Sequence, residues 1–160
     1  MVMSYYDNIA EGYDELHKEE QLKKLNIIKE FIHPKKTDTL LDVGCGSGIS
    51  TNFWDCGATG LDPSVGLLKK TSKGTYVNAS AENIPFEDKS FDFVISVTSI
   101  QNFTNIRKGL EEMKRVGKGK FAFSVLKKSV KIKIIDALIK EIFRVKHFVE
   151  EDKDFIYIIN

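Results

Sequence analysis

Short apolar runs alternate with longer amphipathic stretches along the 160-residue chain. Apolar residues recur every three or four positions in three stretches, which predicts helices over residues 5–32, 105–116 and 129–143. β-branched and apolar runs between them predict buried strands at residues 39–43, 58–62, 75–79, 91–97 and 120–126. Two final runs, residues 145–149 and 155–159, flank an acidic turn and predict a hairpin. Strands that alternate with helices predict an α/β protein with a mostly parallel sheet.

Three glycines at alternate positions, Gly44, Gly46 and Gly48, directly follow the first predicted strand. A strand, a glycine turn and a helix form a ligand crevice at the carboxyl end of the strand, because glycine tolerates positive φ and lets the backbone approach a ligand. A dinucleotide fingerprint would place its third glycine one residue later, where Ile49 stands. Asp42, just before the turn, suits a ligand's amino group better than a phosphate. The pattern therefore favours a zwitterionic ligand and argues against NAD.

A second acid ends the second predicted strand. Asp62 lies fourteen residues beyond Gly48, close to the spacing at which an acid accepts hydrogen bonds from both ribose hydroxyls of a nucleoside. Pro63 and Ser64 then begin a helix, since proline is tolerated in the first helical turn. Asp62 is consequently the strongest single-residue prediction in the chain.

Residues 42–48 resemble motif I of the class I S-adenosylmethionine-dependent methyltransferases, and residues 60–64 resemble the second motif of that family. Residues 5–14 are similar to the opening of its ubiquinone-biosynthesis-like branch, also called methyltransferase type 11. The resemblance covers nearly the whole chain in the family's order. It implies one domain over residues 1–160, built as a Rossmann-like, doubly wound, mostly parallel seven-stranded sheet with a C-terminal antiparallel hairpin.

The resemblance implies S-adenosyl-L-methionine as cofactor, S-adenosyl-L-homocysteine as its product, and a set of residues to hold them. The methionine end is assigned to Asp42, Gly44, Cys45, Gly46 and Gly48, the ribose to Asp62 with Pro63, and the adenine border to Ser80 and Ala81. Ser96 and Tyr13 complete the implied cofactor site. Relatives often carry an acid where Ser80 stands, and a neutral hydroxyl is a weaker partner for the adenine amino group.

Residues 1–34 are expected to form a helical lid over the cofactor, as the resemblance implies; alternatively, their tyrosines only pack a terminal helix. The family's acceptor side follows the fourth strand, so the candidates for acceptor contact or catalysis are Thr98, Gln101, Asn102, Tyr5 and Tyr6. Gln101 and Asn102 equally fit the N-terminal turn of a helix. Because methyl transfer from a sulfonium depends mainly on alignment and needs a base only for a protonated acceptor, the catalytic residues stay unnamed. His17 and His147 are interpreted as incidental.

No Asn/Asp-Pro-Pro-Tyr follows the fourth strand, which argues against a nucleobase or glutamine amine as acceptor. We therefore predict a methyltransferase whose acceptor is a small molecule rather than RNA, with RNA or protein left open. The alternative is a methyltransferase-like binding module that acts as a partner subunit without catalysis.

Composition changes this interpretation little. The chain is 42% hydrophobic and 29% charged, as a globular protein is, and no apolar run approaches the roughly 20 residues that span a bilayer. The first residues lack the build of a signal peptide, so we predict a cytoplasmic location and no membrane partner.

Cys45 and Cys56 fit neither a disulfide framework nor a zinc pattern, and no metal is predicted. Residues 101–160 hold 14 Lys or Arg against 8 Asp or Glu; we interpret these lysines as solvated helix faces, although they could face an anion.

Overall fold

A computed structural model describes residues 2–71 and 74–160, with side chains from residue 15 onward. The helices are α1 (Val2–Lys29), α2 (Ile49–Asn52), α3 (Val65–Leu68), α4 (Ile106–Val116) and α5 (Ile132–Ile142). The strands are β1 (Thr39–Val43), β2 (Gly57–Asp62), β3 (Thr75–Asn78), β4 (Phe91–Val97), β5 (Gly117–Leu126), β6 (His147–Glu150) and β7 (Asp154–Ile159). A single 3-10 turn covers Ile100–Asn102 between β4 and α4.

The strands form one seven-stranded sheet in the order β3-β2-β1-β4-β5-β7-β6. Strands β1 to β5 pair in parallel, and β7 pairs antiparallel with β5 on one side and β6 on the other. The predicted mostly parallel sheet with a C-terminal antiparallel hairpin is confirmed. Strand order reverses between β1 and β4, which places a crevice at the carboxyl ends of these two strands.

The start of β5 differs from the prediction. The strand begins at Gly117 rather than Lys120, and its pairing with β4 shifts register between Phe91 and Phe93. A Cβ on Gly117 would meet the ring of Phe121 at 2.6 Å, so glycine lets the chain leave α4 and enter the strand directly. Gly117 therefore caps α4 and is also the first residue of β5.

Alternate residues of the central strands enter two separate hydrophobic layers, as the period of two in a β-strand requires. On one face Leu41, Val94 and Phe123 pack with α4 and α5, through Leu110 and Ile135. On the other face, residues that include Leu40, Ile95 and Ile156 pack against α1. No helix in the described part of the chain is both long and apolar enough to cross a membrane.

Helix α1 packs against one face of the sheet and also lines the crevice. Leu25 and Ile28 are fully buried in the layer that contains Leu40 at the start of β1. One to two turns earlier in the helix, His17 and Gln21 lie at the opposite end of the sheet, beside the carboxyl ends of the strands. The helix therefore runs antiparallel to β1, and its middle part, which contains His17 and Gln21, borders the crevice.

Candidate functional site

A cleft of about 210 Å³ opens at the carboxyl ends of β1, β2 and β4. Six parts of the chain supply its walls: the glycine loop after β1, helix α2, the end of β2, helix α3, the end of β4 with the loop that follows it, and helix α1. The lining residues are His17, Gln21, Gly44, Cys45, Gly46, Ser47, Ile49, Ser50, Asp62, Leu67, Val97, Thr98, Ser99 and Asn102.

The glycine loop needs its glycines for two different reasons. Gly44 has φ +77°, and a Cβ there would collide with the side chain of Ser99. Gly46 has φ +55° and nothing within 4 Å of a Cβ, so a methyl group would project into open space at the cleft. The loop is held across β2, because the backbone N–H groups of Gly44 and Cys45 both donate to the carbonyl of Leu61, at 2.7 and 3.0 Å. The loop thus presents bare backbone to a ligand.

Asp62 ends β2 with a carboxylate that is 7% exposed and faces the cleft. One oxygen, Oδ2, accepts from the backbone N–H of Gly46 at 2.9 Å, and the other, Oδ1, accepts from the backbone N–H of Ser64 at 2.8 Å. A carboxylate oxygen has two lone pairs, so each oxygen keeps one for a further donor. Two adjacent acceptors of this kind match the two hydroxyls of a ribose.

Asp42 lies beneath the glycine loop and has no exposed surface. Its Oδ2 accepts from the hydroxyls of Ser50 and Thr51, the latter at 2.7 Å. Its Oδ1 is buried without a hydrogen-bond partner among the described residues. Burial in a low-dielectric interior raises the pKa of Asp42 to about 6. In this structure Asp42 secures the start of α2 and does not line the cleft.

Cys45 lines the cleft from the middle of the loop. Burial, with the nearby carboxylates of Asp42 and Asp62 adding to it, raises the pKa of this thiol well above its ordinary value. A thiol that stays protonated is a poor nucleophile. The raised pKa therefore argues against Cys45 as a nucleophile.

Thr98, directly after β4, is held by a buried charged cluster. Its φ is +53°, a conformation that a β-branched residue rarely adopts. Its Oγ1 donates to Asp154 Oδ2 at 2.6 Å and accepts from Lys24 Nζ at 2.9 Å. Lys24 Nζ also lies 3.1 Å from Asp154 Oδ1, and the two side chains are only 3% and 0% exposed. Gln101 Nε2 donates to the carbonyl of Thr98 at 2.9 Å. The backbone N–H of Thr98 donates to the carbonyl of Ser124.

Of the predicted site residues, six meet in the cleft: Gly44, Cys45, Gly46, Asp62, Thr98 and Asn102. Others lie near it without lining it. Gly48, with φ +92°, precedes α2, and a Cβ there would collide with the hydroxyl of Tyr76. The side chain of Gln101 donates a hydrogen bond to the backbone carbonyl of Thr98. Ser96 is fully buried and donates to the carbonyl of Val43 at 2.8 Å.

Three further residues that were predicted to bind the cofactor lie outside the cleft. Pro63 is exposed, Ser80 is half-buried and Ala81 belongs to the hydrophobic core, and none of the three lines the cleft. The backbone N–H of Ala79 donates to the carbonyl of Asp62 at 3.2 Å, so the chain that leads to Ser80 passes beside Asp62. The side chains of Tyr5, Tyr6 and Tyr13 lie outside the described residues, and the lid stays a prediction.

Sequence reasoning did not place Gln21 or Ser99 at a site, and it interpreted as incidental a histidine, His17, that lines the cleft. His17, Gln21 and Lys24 follow one another at four- and three-residue spacing, so they share one face of α1. A polar stripe beside the apolar stripe of Leu25 and Ile28 was the available signal. Ser99 Oγ donates to the carbonyl of Gly44 at 2.7 Å and links the two loops of the cleft, a contact between residues 55 positions apart.

The chain is similar in sequence to a known protein family and to several relatives. A family model described as a methyltransferase domain matches residues 41–123, which is more than half of the chain. An uncharacterized protein of Methanocaldococcus jannaschii is 39% identical over 132 residues, which cover 78% of this chain and 51% of that protein. A demethylmenaquinone methyltransferase of Thermotoga maritima is 31% identical over 137 residues, which cover 78% of this chain and 60% of the enzyme. The chain spans only about half to three fifths of these relatives.

Among solved structures, the fold is similar to that of a candidate methyltransferase of Haloferax volcanii, determined in complex with the Trm112 methyltransferase activator. The TM-score is 0.69 at 24% identity, and the match covers 89% of this chain and 76% of that one. At this identity the similarity concerns the fold.

Proposed function

We propose a function from one premise: the chain belongs to the class I S-adenosylmethionine-dependent methyltransferase family. On this proposal it transfers the methyl group of S-adenosylmethionine to a small-molecule acceptor in the cleft. The observation that carries the proposal is the continuity of the cleft, which leads from the glycine loop and Asp62 to Thr98 and Asn102 without a break.

The residues present fit the cofactor of this family. Gly46 leaves open space where a side chain would stand, and Asp62 offers two oxygens that each keep a free lone pair for a ribose hydroxyl. When bound, S-adenosylmethionine supplies a methyl group already activated on a positively charged sulfur. The chain's own residues then have to orient an acceptor and exclude water, and good alignment alone can contribute roughly 7–11 kcal/mol to lowering the barrier.

The residues on the acceptor side are placed for such alignment. Thr98 is fixed by Asp154 and Lys24 from below, and Ser99 is tied to the glycine loop through Gly44. The acceptor wall and the cofactor loop therefore form one connected unit. Asn102 carries an exposed amide beside the cleft, where it can donate to or accept from an acceptor.

The small-molecule class is supported by the Thermotoga maritima relative, which is named a demethylmenaquinone methyltransferase. RNA methylation is the competing outcome in the assay below.

Calorimetric titration with S-adenosylmethionine, S-adenosylhomocysteine and NAD in parallel tests the cofactor site. We expect binding of the first two and none of NAD. Asp62→Ala should weaken S-adenosylmethionine binding at least a hundredfold, because two hydrogen bonds to a charged group are lost at roughly 1.5–3 kcal/mol each. Asp92→Ala is the matched control, since Asp92 also accepts a backbone N–H, from Thr39 at 2.8 Å, but at the opposite end of the sheet. Wild-type affinity in folded Asp62→Ala would contradict the ribose assignment.

Transfer of a radiolabelled methyl group then separates the acceptor classes. Labelling of a naphthohydroquinone or another small molecule, with none of bulk RNA, is expected; labelling of RNA alone would overturn the small-molecule proposal.

The second candidate is a binding module that works as a partner subunit. It is favoured by the structure of the Haloferax volcanii protein, which was solved with an activator. Tight cofactor binding without methyl transfer to any acceptor, together with a stable hetero-complex in size-exclusion chromatography of cell extract, would support this candidate over an independent enzyme.

A further inference from the structure

Large apolar side chains that remain exposed in the described part of the chain gather at one end of the sheet. Leu16 lies beside the cleft residue His17 on α1, and Val65 and Leu67 follow the carboxyl end of β2. Val130 and Ile134 follow the carboxyl end of β5. The remaining one, Phe148, lies on strand β6. Scattered apolar residues on a surface are ordinary, but all of these except Phe148 lie toward the end of the sheet where the cleft opens.

The most exposed of them sit in a basic segment, residues 127–134. Val130 is 98% exposed and Ile134 is 62% exposed. Four of the first seven residues of the segment are lysines, Lys127, Lys128, Lys131 and Lys133. Apolar and basic side chains therefore alternate on one short stretch that begins before α5 and ends in its first turn.

The positive charge of this segment is largely uncompensated. Lys127 lies 3.8 Å from Glu150, but Lys128, Lys131 and Lys133 form no ion pair with any residue of the described ranges. The next acids along the chain are engaged elsewhere: Asp136 pairs with Lys140 and Glu141 with Arg107. Three exposed ammonium groups without an acidic partner thus lie on the same segment as Val130 and Ile134.

The segment adjoins the mouth of the cleft. Lys131 Nζ lies 3.5 Å from the carbonyl of Gln101, and the next residue, Asn102, lines the cleft. A surface that contacted the basic segment would therefore face the cleft opening as well.

We propose that residues 127–134 dock the protein on a lipid bilayer that contains anionic lipids, with the cleft mouth toward the bilayer. Lysines near an anionic surface are attracted to the headgroups, while Val130 and Ile134 enter the boundary between headgroups and acyl chains, as the apolar side of an interfacial helix does. Docking of this kind needs no membrane-spanning segment. Docking itself does not depend on methyl transfer. The added inference that the acceptor is an apolar molecule reached from the bilayer rests on the proposed function.

Nucleic acid is the less suitable partner for this surface. Proteins read RNA with arginine and with aromatic side chains that stack on bases, and residues 127–134 contain neither. A fully exposed valine between lysines also gains nothing from a phosphate backbone, whereas it gains burial in a bilayer.

Sedimentation with lipid vesicles tests the proposal on the full chain. One vesicle preparation is phosphatidylcholine alone, and the other contains roughly one third phosphatidylglycerol, an anionic lipid. We expect binding to the anionic vesicles only, reversed by high salt because the attraction is screened. Lys128→Glu/Lys131→Glu should lower the partition coefficient at least twentyfold, since each lysine contributes roughly fivefold. Val130→Asp should lower it roughly tenfold.

Lys35→Glu/Lys36→Glu is the matched control, because it makes the same charge change on exposed residues between α1 and β1, at the opposite end of the sheet. This variant should bind nearly as wild type does. Circular dichroism checks that all variants fold, which is expected because the substituted side chains are exposed. The proposal would be overturned by equal binding to both vesicle types, or by an equal loss of vesicle binding in the control variant. It would also be overturned if the protein bound RNA and did not bind the vesicles. Vesicle binding is measured without any acceptor, so a failed methyl-transfer assay would leave its outcome readable.

Discussion

Removing Lys24 tests how much the buried charged cluster contributes to the protein. Lys24 Nζ lies 3.1 Å from Asp154 Oδ1 and 2.9 Å from Thr98 Oγ1, and almost no solvent reaches the pair. Lys24→Met keeps most of the side-chain volume but leaves the carboxylate of Asp154 buried without a counter-charge. Breaking a buried pair in this way costs about 3–5 kcal/mol, out of a total free energy of unfolding of about 5–15 kcal/mol.

This loss converts to a large change in thermal stability. For a domain of this size, 1 kcal/mol corresponds to roughly 2–4 °C in the unfolding midpoint, so the Lys24→Met variant should melt roughly 6–20 °C lower. The double variant Lys24→Met/Asp154→Leu should be more stable than Lys24→Met alone. It buries no charge, and apolar replacement of a whole buried pair is often close to neutral.

Urea unfolding followed by fluorescence provides the assay, because Trp54 is the only tryptophan and is buried in the layer beneath α1. Lys36→Met is the control: its ion pair with Asp55, at 3.8 Å, joins side chains that are 82% and 87% exposed, so the loss should stay below about 1 kcal/mol. A Lys24→Met variant that lost no more than this control, or a double variant less stable than Lys24→Met, would refute the reasoning.

Three further predictions concern the glycine loop, Asp42 beneath it, and Arg115 in the last turn of α4. Gly46→Ala should weaken S-adenosylmethionine binding tenfold or more in calorimetry, because its methyl group enters the cleft, whereas Gly119→Ala, also at positive φ with open space but far from the cleft, should not. Burial raises the pKa of Asp42 from 3.8 to about 6, so the native state holds a proton that the unfolded state has released. Stability should therefore fall by about 3 kcal/mol between about pH 4 and pH 6, and urea titrations of Asp42→Asn should lack that fall. Arg115→Met removes hydrogen bonds to the carbonyls of Ile84 and Phe86 and should speed hydrogen exchange in residues 84–88, with a loss of about 1–3 kcal/mol.

The parts of the molecule that were predictable from sequence are those built by local signals. Strand β4 matches its predicted bounds at Phe91–Val97, because a run of apolar residues buried on both faces leaves little choice of structure. Asp62 stands where its spacing from the glycine turn placed it. In both cases the determining residues lie within about twenty positions of each other, so one window of sequence contains the whole signal.

The acceptor side was not predictable in the same way. Thr98 was named only because it follows β4, and nothing near it in the sequence indicates a positive φ or a charged partner. Its partners are Lys24, 74 positions earlier, and Asp154, 56 positions later, and only the assembled sheet brings the three together. Burial of Asp42 was equally hidden, since an acid before a glycine turn is compatible with lining a cleft or lying beneath it.

The buried cluster also constrains how a lid could work. Lys24 joins α1 to Asp154 and Thr98, so swinging the whole helix away from the cleft would separate this ion pair. The same movement would expose Leu25 and Ile28, which are fully buried, so we expect this part of α1 to stay on the sheet. Any lid movement of residues 1–34 is therefore expected to pivot on the N-terminal side of Lys24, where residues 15–19 are exposed. Opening would then move His17 at the cleft wall, while Thr98 keeps its position.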